Sequence, residues 1–173
     1  LLQKASSEVW GVWFSKLEGS IRLDAFTDAG LGTNFDGSSQ GGFVLSLSGS
    51  EDESRMNCIL WKSGRCKRVA RSSTSSEAQA LVECVDRSIA VRELVNEIFE
   101  GVFSLYIWTD SKDVYNAVYN CKKTSEWRVF LDLSYVKEAL EKGYVKSINW
   151  IQSKDQIADG LTKWSSQNKL KLF

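Results

Sequence analysis

The chain has no histidine, no proline, one methionine and four cysteines in 173 residues. Without histidine, Ser-His and Cys-His nucleophilic mechanisms and histidine general bases are excluded, and most zinc sites lose a usual ligand. Cys58, Cys66, Cys84 and Cys121 are irregularly spaced with no C-x-x-C pair. A zinc site is therefore not expected, and a reduced intracellular setting is the default. The missing proline carries no functional reading. No window approaches the roughly 18 uninterrupted apolar residues of a membrane helix. The chain opens Leu1-Leu2-Gln3-Lys4, without an initiator Met, a basic n-region or an apolar h-region. A signal peptide is therefore not expected, and the chain is expected to be a piece of a longer protein. Any chemistry must come from carboxylates, lysines, hydroxyls or bound cations.

What is present suggests one folded domain. Hydrophobic residues make up 43% and tryptophans number seven, enough for a sizeable core. Lys plus Arg equals Asp plus Glu, 22 each. That balance neither favours nor opposes a nucleic-acid partner, because a local basic patch can coexist with an acidic site.

Residues 1–20 are expected to connect to an upstream domain or to pack as a short helix, and residues 21–173 to form the domain proper. Ile21 to Asp28 alternates apolar and polar residues, which predicts a strand. Gly42 to Leu47 and Asn57 to Lys62 predict two more, joined by short polar turns as an antiparallel meander. Thr74-Ser75-Ser76-Glu77 fits a capping box opening a helix through Val95. Val102 to Thr109 is nearly all apolar and predicts a buried central strand. Helices are expected over Asp110–Asn120, with Asp110 or Ser111 as its cap, and over Ser125–Lys142, closed by Gly143. A strand over Val145–Ile151 and a last helix from Ser153 complete the order β-β-β-α-β-α-α-β-α. That order describes an α/β fold with a five-stranded mixed sheet flanked by helices.

Four acids stand at positions that invite chemistry. Asp28 ends the first strand and Asp110 the fourth, where α/β proteins place ligand groups. Glu77 lies in the first turn of the long helix and Asp159 in the last one. Each also has an ordinary role: Asp28 as a turn residue, Glu77 as a capping-box member, Asp110 as an N-cap, Asp159 as an exposed helix residue. If the four converge, their repulsion calls for compensating cations. Magnesium or manganese, hard ions that prefer oxygen, are the natural choice. Carboxylates holding two such ions make a phosphoryl-transfer site. Just before Glu77, Lys62, Arg65, Lys67, Arg68 and Arg71 put five basic residues in ten with no acid among them. Such a run is either a solvated face or a set of phosphate contacts.

The sequence resembles the ribonuclease H superfamily, and within it the domain of copia-type retrotransposon polyproteins. The matching segments are Phe26-Thr27-Asp28-Ala29, Ser39-Gln40-Gly41-Gly42-Phe43-Val44, Ile59-Leu60-Trp61-Lys62-Ser63 and Arg71 to Ala80. Trp108-Thr109-Asp110-Ser111 and Ser153 to Lys163, with its D-Q-I-A-D-G-L-T-K string, follow in family order. The resemblance spans roughly residues 21–163.

It implies an endonuclease that cuts the RNA strand of RNA–DNA hybrids with two Mg²⁺ or Mn²⁺ ions on Asp28, Glu77, Asp110 and Asp159. Asp155, one helical turn away, is a substitute for Asp159. It also implies an upstream reverse transcriptase in the same polyprotein and a cytoplasmic setting within retrotransposon particles. Substrate contacts are expected from the basic run and from Ser73 and Ser75, with Gly30 and Asn34 as further candidates for the 2′-hydroxyls that distinguish RNA. Trp127 and Trp164 are expected in the core rather than stacked on nucleic acid.

Two departures stand out. Many relatives carry a histidine before the last helix, where this chain has Gln152-Ser153-Lys154-Asp155. The basic stretch expected before the third helix is reduced to Lys122-Lys123-Thr124-Ser125-Glu126-Trp127-Arg128. The alternatives are a catalytically silent domain serving binding or assembly, and a structural domain whose acids are caps. An integrase of related fold would order its acids strand Asp, strand Asp, helix Glu, whereas here Glu77 precedes Asp110.

Overall fold

The computed structural model describes residues 12–52, 55–120 and 126–163. Five strands, β1 (Ile21–Gly30), β2 (Gln40–Gly49), β3 (Met56–Arg65), β4 (Leu105–Thr109) and β5 (Ser147–Trp150), form one sheet in the order β3-β2-β1-β4-β5. The meander is antiparallel, while β1–β4 and β4–β5 are parallel. Among the described residues three helices, α1 (Ser73–Ile98), α2 (Lys112–Asn120) and α3 (Trp127–Glu141), make the connections.

Alternation along β1 explains the two faces of the sheet. Leu23 and Ala25 join Phe43, Leu45, Leu105, Ile107 and Ile148 in the buried cluster that also contains Ala78, Leu81, Cys84 and Val85 of α1. Small residues at Ser76, Ala78, Ala80, Cys84 and Ser88 on α1 are all buried, which lets the 26-residue helix lie close to the sheet. On the other face Phe26 stacks on Trp108 of the neighbouring strand at 6.0 Å. Beside that pair, the Trp108 indole N–H donates to Asp24 at 2.8 Å, and Arg22 pairs with the same carboxylate at 2.9 Å. Buried Asp24 is thereby satisfied rather than left as a lone charge.

Several local expectations change. α1 starts at Ser73 with Ser72 as its N-cap, the Ser72 Oγ accepting from the Ser75 N–H at 3.1 Å. The Thr74–Glu77 capping box is therefore not formed, because a serine two residues earlier takes the cap. Of the two caps expected for α2, Asp110 and Ser111, it is Ser111 that serves, its Oγ accepting from the Val114 N–H at 3.4 Å. Within the described residues, the expected last helix is two short 3-10 turns, Ser153–Asp155 and Ile157–Leu161. Val102, expected in β4, is exposed outside the strand. Trp127 is 63% exposed and stacked on Phe130 at 5.2 Å, so it is not a core residue. Gly143 takes the left-handed φ of +72° just past α3, as its placement predicted. Residues 15–20 run along the edge of the meander, where Ser15 and the Asn57 side chain exchange two hydrogen bonds of 2.8 Å. Cys121, Lys122, Lys123, Ser125 and Trp164 lie outside the described residues, as do residues 1–11.

Leu81 is fully buried where α1 meets the sheet. Leu81→Ala is expected to destabilise the domain by about 3 kcal/mol, from lost transfer energy and a residual cavity. Urea unfolding checks this through a lower midpoint at unchanged slope.

Candidate metal centre

The centre is assembled by strand register. Thr27 of β1 pairs with Thr109 of β4 in the parallel ladder, so the next residues, Asp28 and Asp110, emerge side by side at the sheet's carboxyl edge. The opening turns of α1 bring in Glu77. One oxygen from each of Asp28, Glu77 and Asp110 lies within 4.8 Å of the others. Because Ser72 and Ser111 perform the capping, Glu77 and Asp110 are left to face the cluster.

Asp159 is not one of the three. It sits in the second 3-10 turn, paired with Lys163, and is close enough to act electrostatically on Asp28. Asp155 is exposed and outside the group. The structure thus brings three of the four expected acids together and sets the fourth at the margin.

Burial and mutual repulsion dominate the electrostatics. Burial pushes the Asp28 carboxyl up, the Thr162 hydroxyl opposes this by donating to it, and Asp110 and Asp159 push it further up. Glu77 is raised from 4.5 to about 9, first by burial and then by Asp28 and Asp110, against a hydrogen bond from the Ala29 backbone and the positive charge of Lys163. Its Oε2 is buried without a hydrogen-bond partner. Lys163 is shifted up by its bond to Asp159 and by the fields of Asp28 and Asp110. An all-oxygen donor set, an orphaned buried carboxylate oxygen and repulsion that is only partly offset together fit hard divalent cations.

Sequence reasoning missed four supporting residues. Thr162 is buried and ties Asp28 to the turn that carries Asp159. Lys163, four residues after Asp159, supplies positive charge to the cluster. Both belong to the D-Q-I-A-D-G-L-T-K string, so the signal was present without a role attached. Trp150 donates its indole N–H to the Asp110 carbonyl at 3.0 Å, and Lys112 lies 4.5 Å over the same ring. Nothing in the local sequence pointed to that pair.

The basic run is not a bare positive patch. Lys62 pairs with Glu83, Arg65 with Asp36, Arg68 with Asp132 and Arg71 with Glu126. Lys67 is exposed beside a cavity of about 550 Å³ between the end of β3 and α1. Ser73 is exposed, whereas Ser75 is buried and packs inward. Partly exposed ion pairs of this kind are weak, so a phosphate can compete for the cations.

The five-stranded mixed sheet with its flanking helices is the ribonuclease H fold. Ribonuclease H1 from the halophilic archaeon Halobacterium salinarum matches with a TM-score of 0.57 at 17% identity, over 82% of this chain and 94% of that one. The N-terminal ribonuclease H domain of a Mycobacterium tuberculosis protein matches at 0.55 and 17%, over 83% and 91%. The foamy viral protease-reverse transcriptase in complex with an RNA/DNA hybrid matches at 0.58 and 13%, over 90% of this chain and 21% of that one. At these identities the likeness is one of fold. No protein-family model matches the sequence, and no curated protein does. Among the described residues no helix is long and apolar enough to cross a membrane.

The raised carboxyls fix a sign for the metal-free protein. Between 4.5 and about 9 the unfolded chain has released the Glu77 proton while the folded protein retains it, so this group's contribution to stability falls as pH rises through that window. Asp28 acts in the same direction. In EDTA, Glu77→Gln is expected to raise Tm over wild type by more at pH 8.5 than at pH 5. A gain that shrinks with pH in thermal melts contradicts this.

Proposed function

We propose that this domain hydrolyses the RNA strand of RNA–DNA hybrids, using divalent cations held by Asp28, Glu77 and Asp110 with Asp159 at the margin. The observation that carries the reading is the convergence of three buried or half-buried carboxylates within 4.8 Å at the carboxyl edge of this fold. In a chain without histidine, a carboxylate cluster with bound cations is the arrangement best suited to activating water against a phosphodiester. When bound, two magnesium or manganese ions would polarise the attacking water and stabilise the charge on the departing 3′-oxygen.

The chain's own groups prepare the site. Thr162 fixes one oxygen of Asp28, and the Ala29 N–H orients Glu77. Trp150 holds the Asp110 carbonyl and so sets the backbone from which that carboxylate projects. Lys163 places positive charge where a phosphate arrives. Lys62, Arg65, Lys67, Arg68, Arg71 and Ser73 are assigned to the phosphates and sugars of the hybrid, supported by their charge or hydroxyl and by their place in the chain just before Glu77. The resemblance in the D-Q-I-A-D-G-L-T-K and S-S-x-E-A segments supports placing the domain in a copia-type retrotransposon polyprotein, downstream of a reverse transcriptase.

The test is cleavage of a labelled RNA–DNA hybrid beside RNA–RNA and DNA–DNA duplexes, with Mg²⁺, Mn²⁺ or EDTA. Metal-dependent cutting of the RNA strand in the hybrid alone is expected. Asp110→Asn should lower the rate by on the order of 1,000-fold or more while raising Tm in EDTA, because a repelling charge is removed. Wild-type activity in that variant would refute the site assignment.

A further inference from the structure

The connection between β1 and β2, residues 31–39, is extensively braced. Within it the Asn34 N–H donates to the Ser38 carbonyl at 3.0 Å, and the Gly37 N–H donates to the Asn34 carbonyl at 2.8 Å. The Asp36 carboxylate accepts from the Ser38 N–H at 3.1 Å and from its hydroxyl at 2.6 Å. The Asn34 amide donates to Ser38 Oγ at 3.0 Å and to Gln40 Oε1 at 3.1 Å. Gly32 and Gly37 adopt φ of +62° and +76°, which residues with side chains rarely take. Thr33 Oγ1 lies 3.2 Å from the carbonyls of both Gly30 and Thr162, tying the loop to β1 and to the turn beside Asp28.

This bracing holds Phe35, at the tip, fully exposed. A single exposed apolar residue is ordinary, but the surroundings of this one are not. It stands at the mouth of a cavity of about 950 Å³ whose lining includes Asn34, Gln40, Ser63, Thr162 and Lys163. Thr162 and Lys163 are the residues that bond to Asp28 and Asp159, so the cavity and the carboxylate cluster share a wall. Successive nucleotides lie only about 3.4 Å apart along a duplex axis. A strand with a phosphodiester at the carboxylates therefore presents an adjoining nucleotide to this cavity. Its Asn34, Gln40 and Ser63 side chains suit sugar and base-edge groups, while Leu161 and the aromatic lip suit their flat apolar faces.

We propose that Phe35 and this cavity form a subsite for the RNA-strand nucleotide next to the one at the carboxylates. The ring packs on its ribose and base edge across the wide, shallow minor groove. The proposal rests on the hybrid-cleavage reading above.

The test compares wild type, Phe35→Ala and Phe35→Trp with a labelled RNA–DNA hybrid. Binding is followed by fluorescence anisotropy with Ca²⁺ in place of Mg²⁺, cleavage with Mg²⁺ and Mn²⁺, and Tm without substrate. Phe35→Ala is expected to weaken binding about 10-fold and to raise KM with kcat little changed. Its Tm should stay at the wild-type value, and Phe35→Trp should bind like wild type. If wild type binds and cuts while Phe35→Ala is indistinguishable from it, the subsite alone is overturned. A lowered Tm with unchanged binding also overturns it, because the ring would then be packing on its own chain. If wild type neither binds nor cuts the hybrid with any cation, the functional reading falls and the subsite falls with it.

Discussion

The mutual repulsion of Asp28, Glu77 and Asp110, in a place where water is partly excluded, is the constraint around which the carboxyl edge of the sheet is organised. Two of these acids project from adjacent parallel strands, and only a fixed register of β1 against β4 puts them side by side. The third comes from a helix clamped to the sheet by small buried residues along one face. The protein offsets the repulsion only in part, through the Thr162 hydroxyl, the Ala29 N–H and the Lys163 ammonium. Burial keeps Glu77 protonated to about 9 in the absence of a cation. A domain selected for stability alone has little reason to maintain such a cluster.

Capping chemistry shows how the acids are kept available. Serine and aspartate compete for helix N-termini because both offer an oxygen to orphan N–H groups. At α1 and α2 serines take that role, Ser72 and Ser111, with an acid nearby in each case that would otherwise be drawn to the cap. Ser72 also donates to Glu126 at 3.0 Å, linking the start of α1 to the start of α3. The basic run performs similar bracing: its partners lie in the β1–β2 loop, on α1, at the entrance to α3 and on α3 itself. The charges of the run thus link β3 and the segment after it to these elements.

Much of this was legible in the sequence, for identifiable reasons. Period-two alternation in β1 and the apolar run of β4 are strong local signals, and the meander followed from short polar turns. The placement of Asp28, Glu77 and Asp110 at element ends could be read in the same way. Cap identity could not, because Ser72, Ser73, Thr74, Ser75 and Ser76 all have capping chemistry and tertiary contacts decide among them. The final helix was overread: Ile157, Ala158 and Leu161 have helical spacing, but the chain forms 3-10 turns there that pack on β1 and β2. The partners of the basic run lie far along the chain, 21 positions away for Lys62 and Glu83 and 64 for Arg68 and Asp132, and no local pattern reveals such pairings. The roles of Thr162, Trp150 and Lys112 depend on contacts of the same non-local kind.

The most direct test of the central claim is anomalous scattering from crystals of the domain grown or soaked with Mn²⁺. The account predicts manganese density among Asp28, Glu77 and Asp110, with a second peak toward Asp159, and loss of that density in Asp110→Asn. Well-ordered crystals with no manganese at the three carboxylates, or with manganese bound only elsewhere, would contradict it.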